Sequence, residues 1–269
     1  MDGGQLRATA TRRDWIRDRA LADGTVTIDA VQARFGVSRM TVHRDLDELA
    51  RMGVVRKVRG GASAEPSSRF ESDVRYRISR GQAEKTALCA AALEEIAPGD
   101  SVLLDESTTA LPLAGMLRRH GPVTVLSNFR LVLDELDDAP EVRVISLGGE
   151  WSPRWASWTG PLCRAAVERV RPDLFVTSTT AVDGPDALHP DPGIADVKRA
   201  MLTVARRSIL LVDASKIDRV ALHRVAAVAD FDLVIVDRAV RPAALERLRA
   251  GGANVRVAPP ASHAAEAAT

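Results

Sequence analysis

Val37-Ser38-Arg39-Met40-Thr41-Val42-His43-Arg44-Asp45-Leu46-Asp47-Glu48-Leu49 is the stretch that decides how this chain is read. Ser38 suits a helix N-cap, its hydroxyl taking a bond from a free amide of the first turn. Val42, Leu46 and Leu49 recur at i, i+4 and i+7 and form one apolar stripe. Arg44, with Met40 and Arg51 beside it, lies roughly opposite. Arg39 and His43 form one shoulder and Thr41 the other, and Gly53 suits the residue after the helix. Upstream, Ile28, Val31 and Phe35 have helical spacing behind a Thr27 cap, and Gly36 gives a tight turn between the two helices. An earlier helix over 12–22 supplies Trp15, Ile16 and Leu21 to a three-helix core.

Downstream, Arg56-Lys57-Val58-Arg59-Gly60-Gly61 reads as a basic hairpin within 54–63, its glycines suiting the turn. A solvated basic face on an ordinary helical hairpin is the plain alternative. The cap, the apolar stripe and the basic hairpin together favour a winged helix-turn-helix that binds double-stranded DNA. In that reading the helix opening at Ser38 enters the major groove. Arg44 is the base reader, because arginine bonds bidentately to guanine. Arg39, Thr41 and His43 contact base edges or phosphates, and Arg56, Lys57 and Arg59 hold phosphates.

Composition agrees. The 269 residues suffice for one small domain and one of ordinary size. The net charge of +1 hides an asymmetry: residues 1–60 hold 12 basic and 8 acidic side chains, and the remainder is mildly acidic. Cys89 and Cys163 are too few for a disulfide framework and read as buried free thiols. Five scattered histidines have no metal-ligand spacing, and His189 falls in a Pro-rich loop-like stretch. With no signal peptide and no membrane-length apolar run, the expectation is a cytoplasmic protein that does not meet the membrane.

Residues 1–10 read as a loose tail, 11–62 as the DNA-binding domain and 63–82 as a linker carrying a short charged helix. From Ala83 to 258, helices alternate with short apolar strands, and 259–269 reads as a flexible tail. Such strands predict an α/β domain with a mostly parallel, doubly wound sheet. In sheets of this kind ligands bind beyond the carboxyl ends of the strands. Those positions are polar here: Asp105-Glu106-Ser107-Thr108-Thr109, Ser127-Asn128, Gly148-Gly149, Asp183-Gly184 and Asp213-Ala214-Ser215-Lys216.

Ser107, Thr108 and Thr109, between strand and helix, offer hydroxyls and amides to an anion, most often phosphate; simple helix capping is the alternative. Lys85 and Lys198 add charge if their helices face the pocket, and Lys216 lies just past a strand end. Asp105, Asp183 and Asp213 suit either sugar hydroxyls or strand-end capping. No nucleotide-binding loop is present, and no cofactor is expected.

With both regions described, the chain resembles the DeoR family of transcriptional regulators over nearly its whole length. The head matches at Val37, Ser38, Thr41, Val42, Arg44, Asp45 and Leu46, then at Leu49 and Gly53, and at Gly60, Gly61 and Ala62. The sensor matches at Lys85, Asp105, Thr108 and Thr109, Ser127-Asn128, Gly148-Gly149, the run Val197 to Met201, and Asp213, Ser215 and Lys216. The resemblance implies a sensor similar in fold to ribose-5-phosphate isomerase. It also implies a phosphorylated-sugar effector, with those residues lining or supporting its pocket. The leading reading is a repressor, and a homo-oligomer on paired half-sites is expected because so small a DNA-binding module binds weakly alone. Three positions depart from the family pattern: Ser107 replaces glycine, Thr177 to Val182 replaces a Gly-rich run, and His43 stands where arginine is frequent. The isomerase likeness also raises an enzyme reading, a phosphosugar isomerase with an accessory DNA-binding domain, in which Asp183 or Asp213 with Lys216 does the chemistry.

Overall fold

The computed structural model describes residues 3–51, 55–63 and 74–260. The chain divides between Arg77 and Ile78 into two compact units.

The first unit contains α1 (Gly3–Asp23), β1 (Thr25–Thr27), α2 (Ile28–Phe35), α3 (Arg39–Arg51), β2 (Arg56–Val58) and β3 (Gly61–Ser63). The start of α1 at Gly3 corrects the expectation of a loose tail over 1–10. Gly53 and positions 64–73 of the expected linker lie outside the described residues. Thr27 caps α2, its Oγ1 accepting from the Ala30 amide at 3.2 Å, and left-handed Gly36 ends that helix. Ser38 caps α3 by accepting from the Thr41 amide at 3.2 Å. The stripe Val42, Leu46 and Leu49 is buried against Ile16, Ala20, Val31 and Ala62. Trp15 meets Phe35 edge-on with ring centroids 5.5 Å apart.

The wing forms an antiparallel sheet in the order β1-β3-β2. Gly61 is required by packing: a Cβ there would collide with the Val26 carbonyl. One buried carboxylate ties the unit together. Asp45 accepts from Arg12 Nε at 2.5 Å and from Arg13 Nε at 2.8 Å, which joins α3 to α1. Asp45 lies between the exposed Arg44 and the core residue Leu46, so it fixes the roll of α3.

After α4 (Val74–Ser79) the second unit begins with α5 (Gln82–Leu93), β4 (Ser101–Leu104), α6 (Leu111–Leu117), β5 (Val123–Ser127), α7 (Arg130–Leu136) and β6 (Val142–Ser146). A hairpin follows, β7 (Glu150–Ser152) and β8 (Ser157–Thr159), and then α8 (Gly160–Val167) and β9 (Leu174–Ser178). Next come β10 (Ala181–Asp183), β11 (Asp186–His189), α9 (Pro192–Val204), β12 (Arg207–Val212) and β13 (His223–Ala227). The unit closes with β14 (Leu233–Val236), α10 (Pro242–Ala250) and β15 (Val255–Val257).

Seven strands make one parallel sheet in the order β15-β14-β12-β9-β4-β5-β6. Strands β4 to β6 run outward in one direction and β9 to β15 in the other. The winding therefore reverses between β4 and β9, and a reversal of this kind opens a crevice at the strand ends. Strands β9 and β14 are buried along their whole length, as parallel strands covered on both faces are. The hairpin β7–β8 and a small antiparallel sheet β10-β11-β13 are additions that the strand-helix alternation did not announce.

Removing the Asp45 carboxylate would leave Arg12 buried without its partner. Asp45→Ala is expected to cost about 3 kcal/mol. Hydrogen exchange of the 39–51 amides reads it, as protection lost across the whole of α3; unchanged protection would dismiss the pair as the anchor.

Candidate functional site

In the first unit, α3 and the β2–β3 hairpin display the basic set. Arg39, Arg44, Arg56, Lys57 and Arg59 are exposed, and Thr41 and His43 are partly so. Ser38 spends its hydroxyl on the cap and on Thr41 Oγ1, 3.0 Å away. Lys57 is engaged with Asp47 at 2.5 Å, and Arg51 with Glu48 at 2.6 Å. Among the described residues Arg39, Arg44 and Arg59 have no acidic partner, so their guanidinium groups are available to an external anion or base edge. Lys57 must first give up Asp47.

In the second unit the polar residues gather at the β4–β9 reversal. Asp105 follows β4, and its Oδ1 accepts from the Ser107 amide at 3.1 Å. Ser107 Oγ accepts from the Ala110 amide at 3.1 Å, which is the capping use weighed for it. The helix begins only at Leu111, so Thr108 and Thr109 stand in a turn before it. No protein group accepts from the backbone amides of these two threonines among the described residues. Lys85, on α5, is 5 % exposed, and its Nζ reaches Thr108 Oγ1 at 3.4 Å. One turn on, Cys89 Sγ donates to the Thr109 carbonyl. Burial pushes the Cys89 thiol up to about 12 and the Cys163 thiol up to about 11, so both are structural.

Lys198 is the centre of the crevice. It is 2 % exposed and faces inward from α9 with Ile194, Val197 and Met201. Its Nζ lies 2.5 Å from Asp105 Oδ2 and 3.1 Å from Glu106 Oε1. It also donates to Thr177 Oγ1 at 3.1 Å and to the Ser178 carbonyl at 3.0 Å. Thr177 Oγ1 in turn bonds Asp105 Oδ2. Burial by itself would lower the Lys198 pKa, but the charges of Asp105 and Glu106 and their hydrogen bonds hold it above its ordinary 10.5.

His189 ends β11, 1 % exposed, with Nε2 3.8 Å from Glu106 Oε1. Its Nδ1 accepts from the Asp191 amide at 3.1 Å. Trp155, in the β7–β8 turn, covers the His189 ring at 4.6 Å and donates from Nε1 to Asp191 Oδ2 at 3.2 Å.

The structure thus brings together Lys85, Asp105, Ser107, Thr108, Thr109 and Lys198, all buried. Ser127 follows suit on β5, opposite Leu104 of β4, with Asn128 next to it. Gly148-Gly149 follows β6, and a Cβ on Gly149 would stand 2.8 Å from the Cys163 Cβ. Asp183 is not brought in: it is exposed at the β10–β11 turn, in the separate small sheet. Asp213 follows β12, and its Oδ1 accepts from the Ser215 amide at 3.0 Å; Lys216 ends the short 214–216 helical turn.

Glu106, Thr177, Ser178, His189, Asp191 and Trp155 also belong to this cluster; the sequence offers Glu106, Thr177 and Ser178 only within polar runs and His189 only as a loop residue. Asp191-Pro192 is a cap followed by proline at the first helical position, a local signal that sets the start of α9 at 192. Asp191 caps that helix by accepting from the Ile194 amide at 3.0 Å.

Two family models match the chain: a DeoR-like helix-turn-helix domain over residues 12–67 and a DeoR C-terminal sensor domain over 80–238. A protein of Escherichia coli O157:H7 named for repression of the aga operon is 31 % identical over 261 residues, which cover 94 % of this chain and 96 % of that one. The transcriptional repressor AccR of Agrobacterium fabrum is 30 % identical over 238 residues, covering 88 % and 92 %. The L-fucose operon activator of Escherichia coli is 28 % identical over 231 residues, covering 85 % and 95 %. A solved ribose 5-phosphate isomerase A of Methanocaldococcus jannaschii is similar at 14 % identity and a TM-score of 0.37, over 49 % of this chain and 53 % of that one; a likeness at that score supports nothing further.

Truncating Lys198 would leave two carboxylates buried without their cation. Lys198→Met is expected to lower the stability of the second unit by about 3 kcal/mol at neutral pH. A folded-state pKa above 10.5 contributes stability in full below 10.5 and loses it as pH rises through the raised value, so wild-type stability has no Lys198 transition near neutrality. Urea unfolding across pH checks both statements.

Proposed function

The chain belongs to the DeoR family of transcriptional regulators, and on that premise we propose that it represses a carbohydrate catabolic operon under the control of a phosphorylated sugar or a close chemical relative. It is a DNA-binding regulator rather than an enzyme: the relatives it matches along nearly their whole length are repressors and activators. Asp183 and Asp213, the bases an isomerase reading would use, are an exposed turn residue and a capping residue.

The observation that carries the effector reading is the loop at 105–110. The Lys85 ammonium reaches Thr108 Oγ1, and the backbone amides of Thr108 and Thr109 have no protein acceptor among the described residues. That donor set suits a phosphate, which takes hydrogen bonds on several oxygens and gains from a nearby ammonium. Ser107 takes the place of the family's glycine and accepts from the Ala110 amide, which shapes the loop and leaves its hydroxyl proton to donate. One relative is named for the L-fucose operon, which favours a sugar as the rest of the ligand.

On the DNA side, α3 enters the major groove with Arg44 as base reader. Arg39 and His43 flank it, and Arg56, Lys57 and Arg59 hold phosphates. A module this small binds one half-site weakly, so the working form is a homo-oligomer on paired half-sites, acting in the cytoplasm.

Two measurements test the reading. Arg44→Ala is expected to weaken binding to the cognate site by about tenfold to a hundredfold while sparing non-sequence-specific binding. Arg56→Ala weakens binding to all sequences alike and flattens the salt dependence by about one phosphate contact; a footprint untouched by Arg44→Ala dismisses the groove assignment. On the effector side, Thr108→Val is expected to weaken a sugar phosphate by about tenfold or more in calorimetry on the full chain. Unchanged affinity would place the phosphate elsewhere.

A further inference from the structure

Two buried side-chain oxygens in the second unit have no hydrogen-bond partner among the described residues, and they lie on adjoining segments of chain. Ser157 opens β8 and Asn128 follows β5, both 0 % exposed. The Trp158 amide donates to the Asn128 carbonyl at 2.9 Å, and the Arg130 amide to the Ala156 carbonyl at 3.0 Å, so 128–130 runs alongside 156–158. The Asn128 side chain is oriented by its own donor, Nδ2 giving to the Trp158 carbonyl at 2.8 Å. That leaves Oδ1 as an acceptor with nothing to accept from, and Ser157 Oγ is in the same position. An unsatisfied buried polar group costs about 1–3 kcal/mol, so two on adjoining segments call for an explanation.

The hairpin supplies the direction. Side chains alternate along β8, so Ser157 and Thr159 share a face. Thr159 Oγ1 would stand 3.8 Å from a Cβ on Gly193, at the start of α9. Trp155, just before the strand, reaches Asp191 and covers His189. Ser157 therefore lies between two residues directed at the segment 189–193, and His189 of that segment faces Glu106. Asn128 stands one residue past Ser127, the end of the strand that pairs with β4.

We propose that Ser157 and Asn128 are the part of the crevice that reads the uncharged hydroxyl groups of a phosphorylated polyhydroxy ligand, an assignment that rests on the effector reading above. Both groups are neutral. Asn128 Oδ1 takes a proton from a ligand hydroxyl, and Ser157 Oγ can give or take one. They complement the Lys85 and Thr108 end, which takes the phosphate. The ligand thereby satisfies the two groups that the protein leaves unmatched, and a ligand lacking those hydroxyls forfeits the contact.

The test compares the full chain with Ser157→Ala and with Thr108→Val in calorimetry. The probes are inorganic phosphate and a panel of ribose 5-phosphate, fructose 6-phosphate, glucose 6-phosphate and glycerol 3-phosphate. Ser157→Ala is expected to weaken the panel member that binds wild type best by roughly threefold to tenfold and to leave inorganic phosphate unchanged. Thr108→Val is expected to weaken both. The ligand-free melting temperature of Ser157→Ala should hold or rise, because the change removes an unmatched hydroxyl. Sugar-phosphate affinity unchanged by Ser157→Ala, equal weakening of inorganic phosphate, or a fall in ligand-free melting temperature would each overturn the proposal while the effector reading stands. If no member of the panel binds wild type, the effector reading falls and this proposal falls with it.

Discussion

Lys198 carries its ammonium into a crevice where almost none of it meets solvent, and two carboxylates, a threonine hydroxyl and a backbone carbonyl receive it. Each partner comes from an end of the two strands between which the sheet reverses its winding. Asp105 and Glu106 follow β4, and Thr177 and Ser178 close β9. The lysine thus fastens α9 across the topological switch point and fixes where the residues after β4 stand. Replaced by an apolar pair, such a cluster would not weaken a fold; broken on one side, it would. Its value is in specifying position. The 105–110 loop inherits its place from Asp105, whose other oxygen holds the Ser107 amide.

The same device appears on a smaller scale in the first unit. Asp45 is a charged residue inside a recognition helix, yet it points to α1 and takes Arg12 and Arg13. That leaves Arg44 on the exposed face with no acidic partner among the described residues. Charged pairs are thus buried in both units, and each fixes the orientation of the segment beside it.

Much of this was legible in the sequence. The parallel sheet could be read because strands buried on both faces are continuous apolar runs, as in Leu233-Val234-Ile235-Val236. The helix-turn-helix could be read because Thr27, Gly36 and Ser38 are local signals whose effect does not depend on distant residues. What was not legible is non-local. His189 sits among prolines and gives no periodic signal; its burial comes from Trp155 and Glu106, 34 and 83 positions away in the chain. Lys198 alone on a helix reads as a solvated cation until Asp105 is placed beside it. A carboxylate after a short apolar strand, as at Asp183, looks the same in the sequence whether the strand joins the main sheet or the small antiparallel one. The three-residue strands β7 and β8 are too short to alternate recognisably.

The central claim is that the crevice and α3 are two ends of one equilibrium, one occupied by a phosphorylated metabolite and the other by DNA. Linkage makes this directly measurable, because the factor by which effector changes DNA affinity must equal the factor by which DNA changes effector affinity. The measurement is the dissociation constant of a binding sugar phosphate for the full chain, alone and saturated with operator DNA. Coupled sites give two different values, in the ratio by which that sugar phosphate shifts the DNA dissociation constant, about fivefold or more. Equal values would contradict it, since a ligand indifferent to bound DNA cannot regulate its release.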